Sequence, residues 1–202
     1  MSERFADLKK IAREPAARLL ATANAKLQTK VKAPASASVE AVLEELDENG
    51  AVVDMLRILS LALPARERVW WACLAARDLV GQDVEPAPPP LAAAEKWVFK
   101  PTDENREAAR EALELAEMDD QTELCATAVI FCDGKIGTGD LADVDAPPGG
   151  SATAAFVMNA TALSESGEKF DAYGQLLVDR ALDIARGGSG RLDGKPAEPA
   201  DG

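Results

Sequence analysis

The sequence predicts an all-α protein, a compact helical bundle or short solenoid-like stack of about seven helices with a flexible N-terminal arm and C-terminal tail. Three observations carry this expectation. Apolar residues recur at spacings of three and four, whereas Thr, Val, Ile and Tyr nowhere alternate with polar residues for long. Residues 64–81, PARERVWWACLAARDLVG, contain a run (69–76) in which every side chain is apolar. A helix there has no face suited to water, must be enclosed by other elements, and is the expected central post. Proline and glycine punctuate the apolar segments: Pro64 suits the first helical position and Gly81 the position just past the end. The chain is 47% apolar but only 4% aromatic. Its core is therefore expected to rest on close helix contacts between alanines.

In chain order, residues 2–22 read as two helical pieces. Ser2 is the N-cap of the first, with Phe5, Leu8 and Ile11 on one face, and Pro15 opens the second with Leu19 and Leu20. Residues 23–38, KVKAPASAS in particular, read as a linker. Ser38 caps a helix with the stripe Val39, Val42, Leu43 and Leu46, stopped at Asn49-Gly50. An almost wholly apolar helix over 51–63 should pack on the tryptophan helix. The prolines of QDVEPAPPP forbid continued helix after Gly81. Pro90 then begins a short helix with Trp97 at its end, closed by Pro101.

Thr102 caps a helix that places Ala108, Ala109, Ala112, Leu113 and Ala116 on one face and Glu104, Glu107, Arg110, Glu111 and Glu114 on the other. Along it Glu107 repels Glu111 and attracts Arg110, each by a few tenths of a kcal/mol, so burial decides this helix. Asp120 and Glu123 form a capping-box-like start for QTELCATAVIFC, ending at Asp133-Gly134. Residues 133–150, rich in Gly, Asp and Pro, form the longest irregular loop, and loops of that length are often functional. Small apolar residues return over 151–163. The last helix, 168–186, carries Phe170, Tyr173, Leu177, Ala181 and Ile184 on one stripe and stops at Gly187-Gly188. The expected organisation is a basic helical arm and linker (1–37), a helical domain (38–186) and a disordered tail (187–202).

The formal net charge of −13 argues against general nucleic-acid binding, which requires a concentrated cationic face. Residues 1–32 hold eight Lys or Arg against three acids, which leaves −18 for the remainder. That basic arm is expected to dock on the acidic body or on an acidic partner, and the plain reading, a solvated basic helix, outweighs a specific one. No apolar run reaches the length of a membrane span, about 18 residues, and no secretory h-region follows Met1. Three cysteines, an odd count, fit a reducing cytoplasm better than a disulfide framework.

The residues WWACLAARDL (70–79), AAEKWVFKPTDENREAAREALELAE (93–117), ELCATAVIFCDG (123–134), and VDAPPGG followed by AFVMNATAL together resemble an uncharacterised bacterial all-helical family. The shared pattern is a WWxCLAxRDL helix, a Trp-x-x-x-Pro turn (Trp97, Pro101), an Asn-Arg-x-x-Ala-x-x-Ala helix (Asn105, Arg106, Ala109, Ala112) and a Pro-rich loop before an Ala/Val helix. It covers roughly residues 40–186 and its motifs are largely alanine and tryptophan. The resemblance implies a fold and an accessory role at secretion or phage-tail-like machinery, and it supplies no catalytic residue.

The chain contains no histidine, which excludes Ser-His-Asp and Cys-His catalysis, His-ligated metals and a histidine general base. Cys125 and Cys132, seven apart on one predicted helix, share a face that Cys73 could touch, but the spacing is not that of paired zinc ligands and buried apolar cysteine is the weightier reading. The 133–150 loop offers Asp133, Asp140, Asp143 and Asp145, but Lys135 and Gly137 occupy places a calcium loop needs for ligands, and no GxxxxGK[ST] phosphate loop is present. Acids such as Glu44, Glu45, Glu48, Glu111 and Glu114 lie on polar helix faces, where carboxylates are ordinarily solvated. No catalytic, metal or cofactor-binding residue is assigned, and no cofactor is expected.

Trp70, Trp71 and Trp97 are the candidate partner-binding residues, because tryptophan is enriched at binding hot spots. Trp70 and Trp71 point about 100° apart on a helix, so both are not expected in the same pocket: one belongs to the core and the other is a candidate partner anchor, with core the weightier reading for either taken singly. The functional expectation is a non-enzymatic cytoplasmic adaptor or accessory protein binding another, unidentified protein. Its rival is a small-ligand binder or carboxylate-based enzyme using the 133–150 loop. A third reading, anionic membrane or nucleic acid held by Lys9, Lys10, Arg13, Lys26, Lys30 and Lys32, ranks last.

Overall fold

The computed structural model of the chain describes residues 3–117, 119–137 and 139–192. Among these residues there are nine α-helices and no strand. They are α1 (Ala16–Thr22), α2 (Val39–Glu48), α3 (Val52–Ala62), α4 (Ala65–Val80), α5 (Pro89–Phe99), α6 (Asp103–Glu114), α7 (Glu123–Ile130), α8 (Gly150–Glu165) and α9 (Phe170–Arg186). Helix α4 is the central post: it packs against α5, α7, α8 and α9 at once. Helix α3 meets α1, α2, α8 and α9, so elements distant in sequence share one core. That connectivity is a bundle, because a solenoid-like stack would limit each helix pair to its chain neighbours.

The run at 69–76 is enclosed as its composition requires, with every side chain buried except that of Trp70, which is half-buried. Alanines at the contact faces of α4, α7 and α8 (Ala72, Ala76, Ala126, Ala128, Ala154, Ala155) are buried, and small side chains there let the helix axes approach. Ser38 Oγ accepts from the amide of Ala41 at 3.3 Å and Thr102 Oγ1 from that of Asn105 at 3.3 Å, so α2 and α6 begin at their predicted caps. Gly50 (φ +64°) and Gly81 (φ +105°) follow α2 and α4 in left-handed conformations that a side chain would strain. Pro64 precedes α4 as its N-cap rather than occupying the first turn, and α5 begins at Pro89, one residue before the predicted start.

Residues 3–37 lie against the helices of their own chain. The expected first helix is replaced by a single 3₁₀ turn (Glu3–Phe5), because the backbone turns left-handed at Asp7 (φ +59°); the predicted cap, Ser2, lies outside the described residues. Phe5, Leu8 and Ala16 join the core, and Arg4 bridges Asp47 (2.6 Å) and Asp179 (2.8 Å). The stretch read as a linker has no helix but is pinned: the buried Asp54 carboxylate accepts the amides of Gln28 and Thr29, and Glu45 accepts those of Lys32 and Ala33. Those two amides hold the Glu45 carboxyl below its usual range. Of the stretch read as a tail, residues 187–192 lie across α4 and α9, and residues 193–202 lie outside the described residues. No described helix is long and apolar enough to cross a membrane.

Candidate functional site

Two adjacent tryptophans on α4 take opposite roles. Trp71 is fully buried and its indole N–H donates to the carbonyl of Leu177 on α9 at 3.0 Å. With that ring fixed, Trp70 stands about 100° further round the helix, at the seam where the end of α5 approaches. There Phe99, 73% exposed, meets it with ring centroids 6.4 Å apart and a tilt of 60°, a separation and tilt favourable to aromatic pairs. Trp97, the third candidate, is 6% exposed and belongs to the core. The structure thus brings Trp70 to the surface beside Phe99, and places Trp71 and Trp97 inside.

Trp70 and Phe99 form a ridge between two hollows. The larger, about 630 Å³, runs between α4, α5, α9 and the loop after α4. Among the described residues most of its polar wall is paired internally, the buried Nε of Arg180 excepted. Arg77 forks onto Glu95 with bonds of 2.8 and 2.7 Å and also donates to the Val84 carbonyl at 3.1 Å. Asp78 accepts from Tyr173 Oη at 2.7 Å and from both terminal nitrogens of Arg180. Burial, then the adjacent Asp78, pushes the Tyr173 hydroxyl well above its usual range, so it stays protonated. The smaller hollow, about 470 Å³, is closed on one side by the Lys10–Glu67 ion pair (3.0 Å). Residues 187–192, the strap, pass over the ridge: Trp70 Nε1 donates to the Ser189 carbonyl at 2.7 Å, and the Arg191 guanidinium lies 5.2 Å from the centre of the indole. Paired acids, a protonated phenol and an aromatic ridge suit this cleft to recognition.

The 133–150 loop is organised differently. Lys135 and Asp145 form an antiparallel bridge and a 2.7 Å ion pair, and Ile136 donates to Val144 across the same narrow hairpin; Thr138 lies outside the described residues. Asp133 is held by Arg106, whose guanidinium also reaches the carbonyls of Ile130 and Lys135. Two of the four loop carboxylates therefore have structural partners. The hollow at the base of the loop, about 240 Å³, is lined by none of its aspartates but by Arg68 and Cys132. Arg68 donates to the carbonyls of Ser60 and Leu63 at the C-terminal end of α3, and burial pulls it down to about 10.

The thiols of Cys73 and Cys125 are buried and in contact, and desolvation raises Cys73 well above the usual range. Cys132 does not join them. Helix α7 ends at Ile130, so the spacing of seven is not carried by a helix, and Cys132 sits near Arg106 and Arg68 instead. Among the described residues no three of His, Cys, Asp or Glu are placed to hold a metal ion.

Sequence reasoning missed Phe99, the Asp78–Tyr173–Arg180 cluster and the strap. Phe99 carried a signal, an aromatic one residue past the buried Val98 at a helix end. The cluster carried none, since Asp78 lies 95 and 102 residues from Tyr173 and Arg180 in the chain. A family model described as "Family of unknown function (DUF6931)" matches residues 42–185, most of the stretch over which the sequence resembled a helical family. No curated protein and no solved structure matches the chain.

Proposed function

Because the chain belongs to the family of unknown function DUF6931, whose description carries no activity, we propose from the site itself that it is a non-enzymatic adaptor or accessory protein. It holds a segment of another protein in the cleft beside Trp70 and Phe99. The observation that carries this reading is the Trp70–Phe99 ridge, a half-buried indole beside an exposed phenyl ring at the mouth of a 630 Å³ cleft. Large aromatics are the side chains that anchor interfaces, and they do so where a concave surface lets a partner exclude water around them. Buried thiols in contact at Cys73 and Cys125 fit a reducing compartment such as the cytoplasm.

The experiment compares affinity capture from the native cell by the full chain and by its Phe99→Ala and Trp70→Ala variants, followed by titration of the purified captured protein. A stoichiometric protein that binds the parent chain directly and loses at least tenfold in affinity with either variant supports the reading. Equal binding by parent and variants would move the interface elsewhere and overturn it.

A further inference from the structure

Every polar and π contact that Trp70 makes with the strap is one a peptide ligand would make. The Ser189 carbonyl takes the indole N–H, and a guanidinium covers the ring. The strap is positioned backbone first. Gly187 (φ +106°) turns the chain out of α9, and the amides of Gly188 and Gly190 donate to Asp183, the first to its carbonyl at 2.9 Å and the second to its carboxylate at 2.8 Å. Gly190 (φ +69°) lies so close to Ile184 and Leu74 that a Cβ would stand 2.7 and 2.9 Å from them. Only beyond that anchor does Arg191 reach the indole, and Arg191 is itself exposed. Across the cleft the rim is acidic: Asp83 is exposed, and the Glu85 side chain, 75% exposed, has among the described residues only the distant Arg77 at 3.8 Å as an ion-pair partner.

We infer that residues 189–191 occupy, in cis, the place of an arginine-bearing extended segment of the partner protein. This rests on the cleft being the protein-binding site proposed above. The partner's guanidinium stacks on Trp70 toward Asp83 and Glu85, a carbonyl two residues before it accepts the indole N–H, and the strap competes for the same surface. An aromatic face rimmed by carboxylates selects a cation, and a planar guanidinium both stacks and forks onto carboxylates where an ammonium does neither as well. The net charge of −13 draws a basic segment toward the chain. Since an occupied surface reduces apparent affinity by the fraction of time it is free, loosening the strap must strengthen binding in trans.

The test uses the full chain labelled with ¹⁵N and the synthetic hexapeptide GGSGRL, the sequence of residues 187–192, with its arginine-to-alanine analogue as control. The indole N–H signal of Trp70 is assigned with Trp70→Phe, and those of the buried Trp71 and Trp97 report on the core. The peptide is expected to shift the Trp70 signal alone. It should bind Arg191→Ala about two- to fivefold more tightly than the parent, the loss of one exposed cation–π contact by the competing strap. The alanine peptide should leave the signal unmoved. Acrylamide quenching of Trp70 should also rise in Arg191→Ala.

Absence of a shift in Arg191→Ala at millimolar peptide, an equal shift from the alanine peptide, or unchanged quenching would each overturn the inference. So would self-association of Arg191→Ala on sedimentation, which would make a second copy the occupant. If a captured partner depends on Phe99 while the peptide stays silent, the cleft reading stands and the arginine inference alone falls.

Discussion

Replacing Arg106 with alanine should be among the most damaging single changes in the chain, although the sequence places it in a charged, alanine-rich helix. Its side chain is 5% exposed and donates to the Ile130 carbonyl (2.9 Å from Nε), the Lys135 carbonyl (2.8 Å) and both oxygens of Asp133. Truncation leaves two backbone acceptors without these donors, Ile130 at the end of α7 and Lys135 in the loop beyond it, at about 1–3 kcal/mol for a fully buried group and less for the half-buried Lys135. Asp133 adds little, because its side chain is 51% exposed and water can replace the guanidinium. With the lost packing of the arginine stem the total is about 3–5 kcal/mol, a large share of the roughly 5–15 kcal/mol that holds a domain together. Urea unfolding followed by far-UV circular dichroism at neutral pH measures it, with Asp133→Asn as the comparison, expected to cost clearly less than Arg106→Ala because the amide oxygen still accepts from the guanidinium and water reaches that side. The energy resides in the carbonyl bonds rather than the ion pair. Arg106→Ala costing under 1 kcal/mol, or Asp133→Asn costing as much as Arg106→Ala, would refute it.

Three further outcomes follow from other contacts. Asp54→Ala removes the acceptor shared by the Gln28 and Thr29 amides, so hydrogen exchange at those two amides should accelerate at least tenfold while global stability falls by about 1–3 kcal/mol; unchanged exchange would refute the pinning of residues 23–38. The Tyr173 phenol is raised above its ordinary value near 10, so the folded state keeps a proton that the unfolded chain releases, and the stability this contributes is whole below pH 10 and shrinks as pH climbs past it. Tyr173→Phe should therefore lose stability less steeply above pH 10 than the parent chain; Arg68 works in the opposite sense in that range but equally in both proteins. Gly174→Ala places a Cβ 2.9 Å from Val52 on α3, so despite better helix propensity it should destabilise by about 1–3 kcal/mol, and Val52→Ala added to it should recover part of the loss in thermal unfolding.

What was legible in the sequence was local. Ser38, Asn49-Gly50, Gly81 and Thr102 each act through neighbours within a few residues, so caps and stops could be read with no knowledge of the fold. The enclosure of residues 69–76 was legible for a related reason: a helix apolar on all sides has one physical solution. Helix α6 shows where this ends. Its buried side was expected to run through Ala108, Ala109, Ala112, Leu113 and Ala116, yet only Ala109 of these is fully buried, beside Asn105 and Arg106. The polar pair is inside because the ends of two other helices supply bare carbonyls there, Lys100 to Asn105 (2.7 Å) and Ile130 to Arg106. Those acceptors are 5 and 24 residues away, and hydrophobic periodicity carries no record of them. Residues 3–12 failed as a helix for a similar cause, since burial of Phe5 and Leu8 and the bond from the Lys10 amide to the Ala185 carbonyl outweigh local propensity.

The same division explains why the cleft, rather than the long glycine-rich loop, carries the functional argument. In the loop, Asp133 and Asp145 are committed to Arg106 and Lys135, and the chain between them closes on itself through backbone bonds. In the cleft the acids nearest the core are equally committed, Asp78 to Tyr173 and Arg180 and Glu95 to Arg77, but the aromatic ridge above them keeps Phe99 exposed and Trp70 only half-buried. The bond from Trp71 to Leu177 fixes the rotation of α4, and the helical repeat then obliges Trp70 to face outward at the point where Phe99 ends α5. A protein that needed Trp70 only for packing would gain by exchanging it for a smaller apolar residue at such an edge. Here the indole instead has its ring covered and its N–H bonded by a glycine-rich segment of which only Gly190, seated on Leu74 and Ile184, is buried. A large aromatic kept at the surface beneath a cover that is itself mostly exposed is the arrangement expected of a binding surface.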